Sequence, residues 1–170
     1  MVRKQAQHNM TKMKTSSAIW VTLTIGIAFA VMSAPGPVSG SLGGDATSVQ
    51  ADQGKMQASL QTTSKDLYSI HEMHAPNNVI VREYVSPAGK VFAVAWQGPS
   101  RPDLQQVLGA YFEPFNQAVQ AQKAHRVGRA PLVVQLPGLV VHMGGHERSF
   151  FGKAYVPQMV PSGVHAEEIQ

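Results

Sequence analysis

Cysteine is absent from all 170 residues. No disulfide can therefore brace the fold, even in an oxidising compartment. A bacterial lipoprotein is excluded as well, because its lipid is carried on a cysteine at the cleavage site. There is no Gly-x-Ser-x-Gly elbow, so the strand-turn-helix nucleophile of many hydrolases is missing. Gly43-Gly44 and Gly144-Gly145 lack the further glycines and the lysine of a phosphate-cradling loop. No motif calls for a cofactor, and none is expected. The chain carries no internal repeat, no coiled-coil heptads and no low-complexity block beyond its first forty residues.

What is present at the start is an export pattern. Arg3, Lys4, Lys12 and Lys14 precede a window, Thr15 to Gly44, without one charged side chain. Inside it Ala18–Ala34 is almost wholly apolar, and small residues and prolines follow in Pro35-Gly36-Pro37-Val38-Ser39-Gly40. Positive, apolar, then small is the order of a secretory signal. Val38 and Gly40 fit the small positions before a signal peptidase cut, so residues 1–40 read as signal and 41–170 as one exported domain. Ser41 is the alternative cut, and Met10 and Met13 are alternative starts. The rival reading is an uncleaved anchor, which would be the chain's one contact with a membrane. Against it, the apolar run has roughly 17 residues where a span needs roughly 20, and Pro35 and Pro37 stop a helix. No Arg-Arg pair precedes the run, which argues against the twin-arginine route.

Removing the signal changes the charge argument. The formal net charge of +4 comes from 14 Lys and Arg against 10 acids. Four of those cations leave with residues 1–40 and no acid does, so the exported part is formally neutral. The basic isoelectric point is a targeting feature and gives no support for nucleic-acid binding. At about 130 residues the exported part can bury roughly two thirds of its unfolded surface, enough for one domain.

Asp45 is positioned to cap a helix carrying Val49, Asp52, Gln53 and Met56. Extended runs follow at Ser59–Thr63 and Leu67–His74, and Asn77-Asn78 reads as a turn. Val79–Val85 and Lys90–Trp96 are β-rich, joined by Ser86-Pro87-Ala88-Gly89 with Pro and Gly where a type I turn prefers them. Strict alternation puts Phe92, Val94 and Trp96 on one face and Val91, Ala93 and Ala95 on the other. Apolar residues on both faces predict a central strand, with the small alanine face suited to a helix. Asp103 can cap that helix, whose stripe is Leu104, Val107, Leu108, Tyr111, Phe112, Phe115 and Val119. Pro114 is expected to kink it or split it after Glu113. Lys123, His125, Arg126 and Arg129 read as its solvated basic end. Strands return at Leu132–Gln135, Leu139–Met143 and His146–Val156, and Ser162–Glu168 suits a short terminal helix. The expected fold is α+β: an antiparallel sheet of about five or six strands with one long, kinked helix on one face.

The candidate catalytic residues are His71, Glu72, His142 and His146. His71-Glu72-Met73-His74 and His142-Met143-Gly144-Gly145-His146 look like two halves of a metal site. In a strand His71 and His74 point to opposite faces. If Gly144-Gly145 forms a two-residue hairpin loop, His142 and His146 are opposed too. No metal is therefore expected, although a site could draw one histidine from each pair, with Glu72 or Glu147. A Glu72–Glu83 carboxylate pair is less natural than cross-strand ion pairs with Arg82, Lys90 or Arg148. Tyr84, Trp96, Phe150, Phe151 and Tyr155 are candidates for a sugar or peptide groove, though residues of this kind mostly belong to cores.

Three stretches carry a resemblance: Leu42-Gly43-Gly44-Asp45, the block Val81 to Pro99, and Gly145-His146-x-Arg148-x-Phe150-x-Gly152-x-Ala154. Together they resemble a family of small exported proteobacterial proteins, domain of unknown function 2844. The resemblance implies a single-domain envelope or secreted protein and brings no activity, ligand or catalytic residue with it. Two functional classes follow: a non-catalytic binding or assembly module with an envelope protein as partner, or a small periplasmic hydrolase-like enzyme using strand-borne His and Glu.

Overall fold

The computed structural model describes residues 42–123 and 130–170. The signal reading of residues 1–40, and His125, Arg126 and Arg129, lie outside the described residues. The elements are α1 (Ser48–Met56), β1 (Ser59–Ser64), β2 (Ser69–His74), β3 (Ile80–Val85), β4 (Val91–Gly98), α2 (Leu104–Leu108), α3 (Phe112–Lys123), β5 (Leu132–Leu136), β6 (Leu139–His146) and β7 (Ser149–Tyr155). All strands join one antiparallel sheet of seven in the order β1-β2-β3-β4-β7-β6-β5. Two meanders, β1 to β4 and β5 to β7, meet along β4 and β7, with the helical segment crossing between them.

The sheet has seven strands where five or six were expected, since every extended run forms one, down to the edge strand β1 (SLQTTS). Its side chains are almost all exposed, so it lacks the apolar alternation that marks a half-buried strand. β4 is the central strand, as its two apolar faces predict, and Val91 to Trp96 are all buried. The β3–β4 turn forms as expected, Gly89 N–H donating to Ser86 O at 2.9 Å.

Two local features differ from simple periodicity. Tyr84 pairs with Ala93 while Val85 pairs with Val91, so Phe92 is the extra residue of a β-bulge. The bulge moves Phe92 away from Val94 and Trp96 and onto the face of Ala93 and Ala95. The long helix breaks at Gly109–Tyr111, a single 3-10 turn, and not after Glu113. Gly109 leaves the helical region (φ 51°, ψ −122°), and Pro114 falls in the first turn of α3, where no N–H is required of it.

The helices pack on one face only. Val49, Val107, Leu108 and Phe115 join Val81, Val94, Trp96, Val141, Met143 and Ala154 in the larger core cluster. The opposite face, with its small alanines, is covered by the C-terminal strap, residues 156–170, and not by a helix. Ile169, wholly buried, sits there with Tyr68, Tyr84, Phe92, Ala93 and Ala95. The helix expected over 162–168 is one 3-10 turn, Ala166–Glu168, closed by a reciprocal cap between His165 and Glu168. Asp103 caps α2 as expected, accepting from Gln105 N–H and Gln106 N–H. Asp45 does not cap α1 with its side chain: its carbonyl accepts from Ser48, and its carboxylate pairs with Lys90 at 2.6 Å. Among the described residues, no helix is long and apolar enough to cross a membrane.

Candidate functional site

Sheet order decides which candidate residues can meet. His71 and Glu72 stand on β2, and His142 and His146 on β6, with β3, β4 and β7 between. At about 4.8 Å per strand the two groups are about 19 Å apart. The topology therefore does not build a site from one histidine of each pair. β6 runs straight through Gly144 and Gly145, and the turn is Glu147-Arg148 instead, with His146 opposite Ser149. The Gly-Gly hairpin loop is thus corrected: Gly145 (φ 113°) lies so close to β7 that an added Cβ would overlap Ser149 O. His142 and His146, four residues apart on one strand, are separated by about 13 Å along it.

Each candidate has its own surroundings. Glu72 faces Arg82 directly across β2–β3, the cross-strand ion pair expected of it. Arg82 Nε donates to Glu72 Oε2 at 2.5 Å, and His74 Nε2 lies 2.6 Å from Oε1. Burial pushes the Glu72 carboxyl up, but the contacts with Arg82 and His74 outweigh it and hold the group below the ordinary range. His71 points to the helix side, its ring nitrogens 3.1 Å from the Thr62 and Ser69 hydroxyls. Burial pushes its pKa down. His142 pairs with Lys153 across β6–β7, and its Nε2 is buried without a partner. His146 Nδ1 lies 3.2 Å from Glu147 O. Among the described residues no three His, Asp or Glu gather closely enough to hold a metal ion.

Among the concavities formed by the described residues, two of similar size stand out. One, about 660 Å³, lies on the strap side and is lined by Lys65, Tyr68, Glu72, Arg82, Tyr84 and Gln170 among others. Its polar groups are largely engaged with the strap. Tyr84 Oη donates to Gln170 O and accepts from Gln170 N–H. Arg82 Nη1 reaches Gln170 O, and Tyr68 Oη donates to Glu168. The other, about 640 Å³, opens between the helical layer and the β6–β7 end of the sheet. Leu104, Phe115, Val119, Leu132, Met143 and Phe150 give it an apolar lining, with Arg101, Lys123, His146 and Glu147 around them. The Arg101 guanidinium stands 5.0 Å over the Phe150 ring. An apolar concavity with a few charged groups is the usual form of a small-ligand site, and this one matches it better than the strap-side cavity does. Of the five candidate groove aromatics, Tyr84 and Trp96 are core, while Phe150 lines the cleft.

One constellation escaped the sequence reading. Asp52 of α1 and Glu83 of β3 are both wholly buried, at 0 % and 1 % exposure. Their carboxyl groups lie within reach of each other, and Gln106 Nε2 of α2 donates to Asp52 Oδ1 at 2.9 Å. The signal was available: Asp52 falls on the stripe of Val49 and Met56, and Glu83 alternates with Val81 and Val85. Glu72 and Glu83, by contrast, point to opposite faces of the sheet.

An antiparallel seven-stranded sheet with helices on one face and a strap on the other defines a small α+β protein. The chain belongs to the family described as protein of unknown function DUF2844, whose model matches residues 38–169. Comparison with curated proteins and with solved structures gives no match. The hairpin stretch from Gly145 to Ala154 that carries part of the family resemblance has structural duties at four positions, while His146 and Phe150 line the cleft. Gly145 and Arg148 take positive φ, Gly152 makes room for the Trp96 ring, and Ala154 is core.

Proposed function

We propose that this protein is a non-catalytic binding module acting outside the cytoplasm, and that its ligand is an elongated apolar molecule with an anionic end. The observation that carries the reading is the cleft beneath α3, apolar within and edged by Arg101, Lys123 and His146 against the single acid Glu147. Its volume is within the range of roughly 300–1,000 Å³ usual for small-ligand sites. The signal-like order of residues 1–40 supports action in the envelope or beyond. His71, Glu72, His142 and His146 do not converge across the sheet, which gives acid–base chemistry among them no shared centre.

The test is fluorescence titration of the full chain with cis-parinaric acid, a long-chain carboxylate that brightens in apolar sites. Saturable binding should be lost in Val119→Trp, which fills the cleft. It should weaken several-fold in the Arg101→Ala, Lys123→Ala double variant, while binding of the matching neutral alcohol changes little. Absence of saturable binding, or binding indifferent to Val119→Trp, would sink the proposal.

A further inference from the structure

Asp52 and Glu83 do not line the cleft, and they are the only acidic side chains buried completely among the described residues. They lie where α1, α2 and the sheet meet. Neighbours come from α1, α2, β2 and β4. α1 contributes Lys55, whose charge acts on Asp52 from a distance. α2 contributes Gln106, a neutral donor already committed to Asp52 Oδ1. β2 places His71 opposite Glu83, its ring held by Thr62 and Ser69. β4 places Val94 opposite Glu83. Among the described residues no cation pairs with either carboxyl group. Asp52 Oδ2 and Glu83 Oε2 are both buried with no other donor among the described residues.

Two ionised carboxylates cannot occupy one dry seam in mutual contact: each would be desolvated, and each would repel the other. A single proton removes both difficulties, supplying the missing donor and leaving one charge for Gln106 to solvate. We propose that Asp52 and Glu83 hold one proton between them as a latch that fastens α1 to the sheet, and that loss of this proton at alkaline pH releases α1.

The direction of the pH dependence follows from linkage. Burial first, then the charge of Asp52 and its hydrogen bond, push the Glu83 carboxyl from an ordinary 4.5 up to about 9. Burial likewise pushes Asp52 up, against the lowering by Gln106. The folded chain thus keeps a proton that the unfolded chain has released. The latch acts in full below the ordinary value, and its contribution is lost progressively as pH rises towards about 9. Across that window a one-proton difference raises the unfolding constant by up to about tenfold per pH unit.

The deciding experiment is carbon-13 NMR of the side-chain carboxyls in the full chain. At pH 7 Glu83 should show the protonated carboxyl shift and titrate above neutrality, with the Val49 and Met56 methyl signals of α1 following the same curve. Ordinary titration of both carboxyls near pH 4, or α1 methyls that ignore it, would overturn the latch. Thermal unfolding from pH 5 to 9.5 gives a second readout. The wild-type midpoint should fall with pH while that of Glu83→Gln, which keeps a donor towards Asp52 but cannot ionise, stays flatter. Parallel curves would also overturn it, and if Glu83→Gln does not fold, the wild-type NMR titration still decides.

Discussion

Gly152 has no side chain because Trp96 occupies the space one would need. A Cβ built there would lie 2.3 Å from the indole ring and 3.0 Å from Met143. The indole is buried, and its Nε1–H has no acceptor among the described residues, so packing holds Trp96 there. Gly152→Ala should therefore cost about 1–3 kcal/mol, as overpacking of a tight core does, measured by urea unfolding. Gly138→Ala is the control: its Cβ would meet nothing within 4 Å, and its effect should stay within about 0.5 kcal/mol. Glu72 makes a second residue-scale prediction with the opposite pH sense to Glu83. Its folded-state pKa is depressed, so the ion pair with Arg82 stabilises above the ordinary value of 4.5 and is lost as pH falls through the folded one. Glu72→Gln should be less stable than the wild-type chain at pH 7 and should close that gap on acidification, by the same unfolding assay.

Among the elements, the helical segment shows how far pattern reading extends. Its N-cap was legible: Asp103 stands before the apolar stripe and accepts two backbone N–H groups. Asp103→Ala should cost about 1 kcal/mol, read as a lower urea midpoint at unchanged slope. The break was misplaced because proline is the louder signal in a sequence, whereas here Gly109 makes the turn and Pro114 sits harmlessly near the start of α3. Pro114→Ala should thus shift stability by no more than about 0.5 kcal/mol, where a mid-helix proline would give a gain of about 3 kcal/mol on replacement. The sheet was legible where burial enforces alternation and lost where it does not. The exposed edge strand β1 was legible only as an extended run, Ser59–Thr63, without apolar rhythm, and Phe92 was assigned to the wrong face because one bulge residue reverses parity. The carboxyl pair went unread for another reason: each acid stands at an apolar position of its own element, but Asp52 and Glu83 belong to separate elements that only tertiary packing brings together.

At the scale of the whole molecule, the sheet has two different coverings, and the sequence displayed only one. A helix declares itself by its stripe, but residues 156–170 have no period and bury single side chains between prolines and polar residues. Ile169 is the deepest of these, with no exposed surface among Tyr68, Tyr84, Phe92, Ala93 and Ala95. Main-chain groups on both sides of it are held by side chains of the sheet: Lys153 Nζ donates to Ala166 O and Ile169 O, and Tyr84 binds both N–H and C=O of Gln170. The three rings below Ile169 stand 5.8 to 6.1 Å apart, centroid to centroid, forming an aromatic floor that water would reach if the strap lifted. Ile169→Ala keeps every one of those main-chain hydrogen bonds possible and removes only the buried side chain. It should cost about 2–5 kcal/mol, the usual loss for a large aliphatic residue cut back in a core. Lys153→Met instead removes the donor to two carbonyls while preserving much of the side-chain volume, and should cost less, about 1–3 kcal/mol. The two losses should not add, because both act through the same strap. A double variant whose destabilisation equals the sum of the singles would mean that Ile169 and Lys153 hold independent parts of the chain. A shortfall of a kilocalorie per mole or more, about the size expected of coupled neighbours, would show that the strap docks as one cooperative unit.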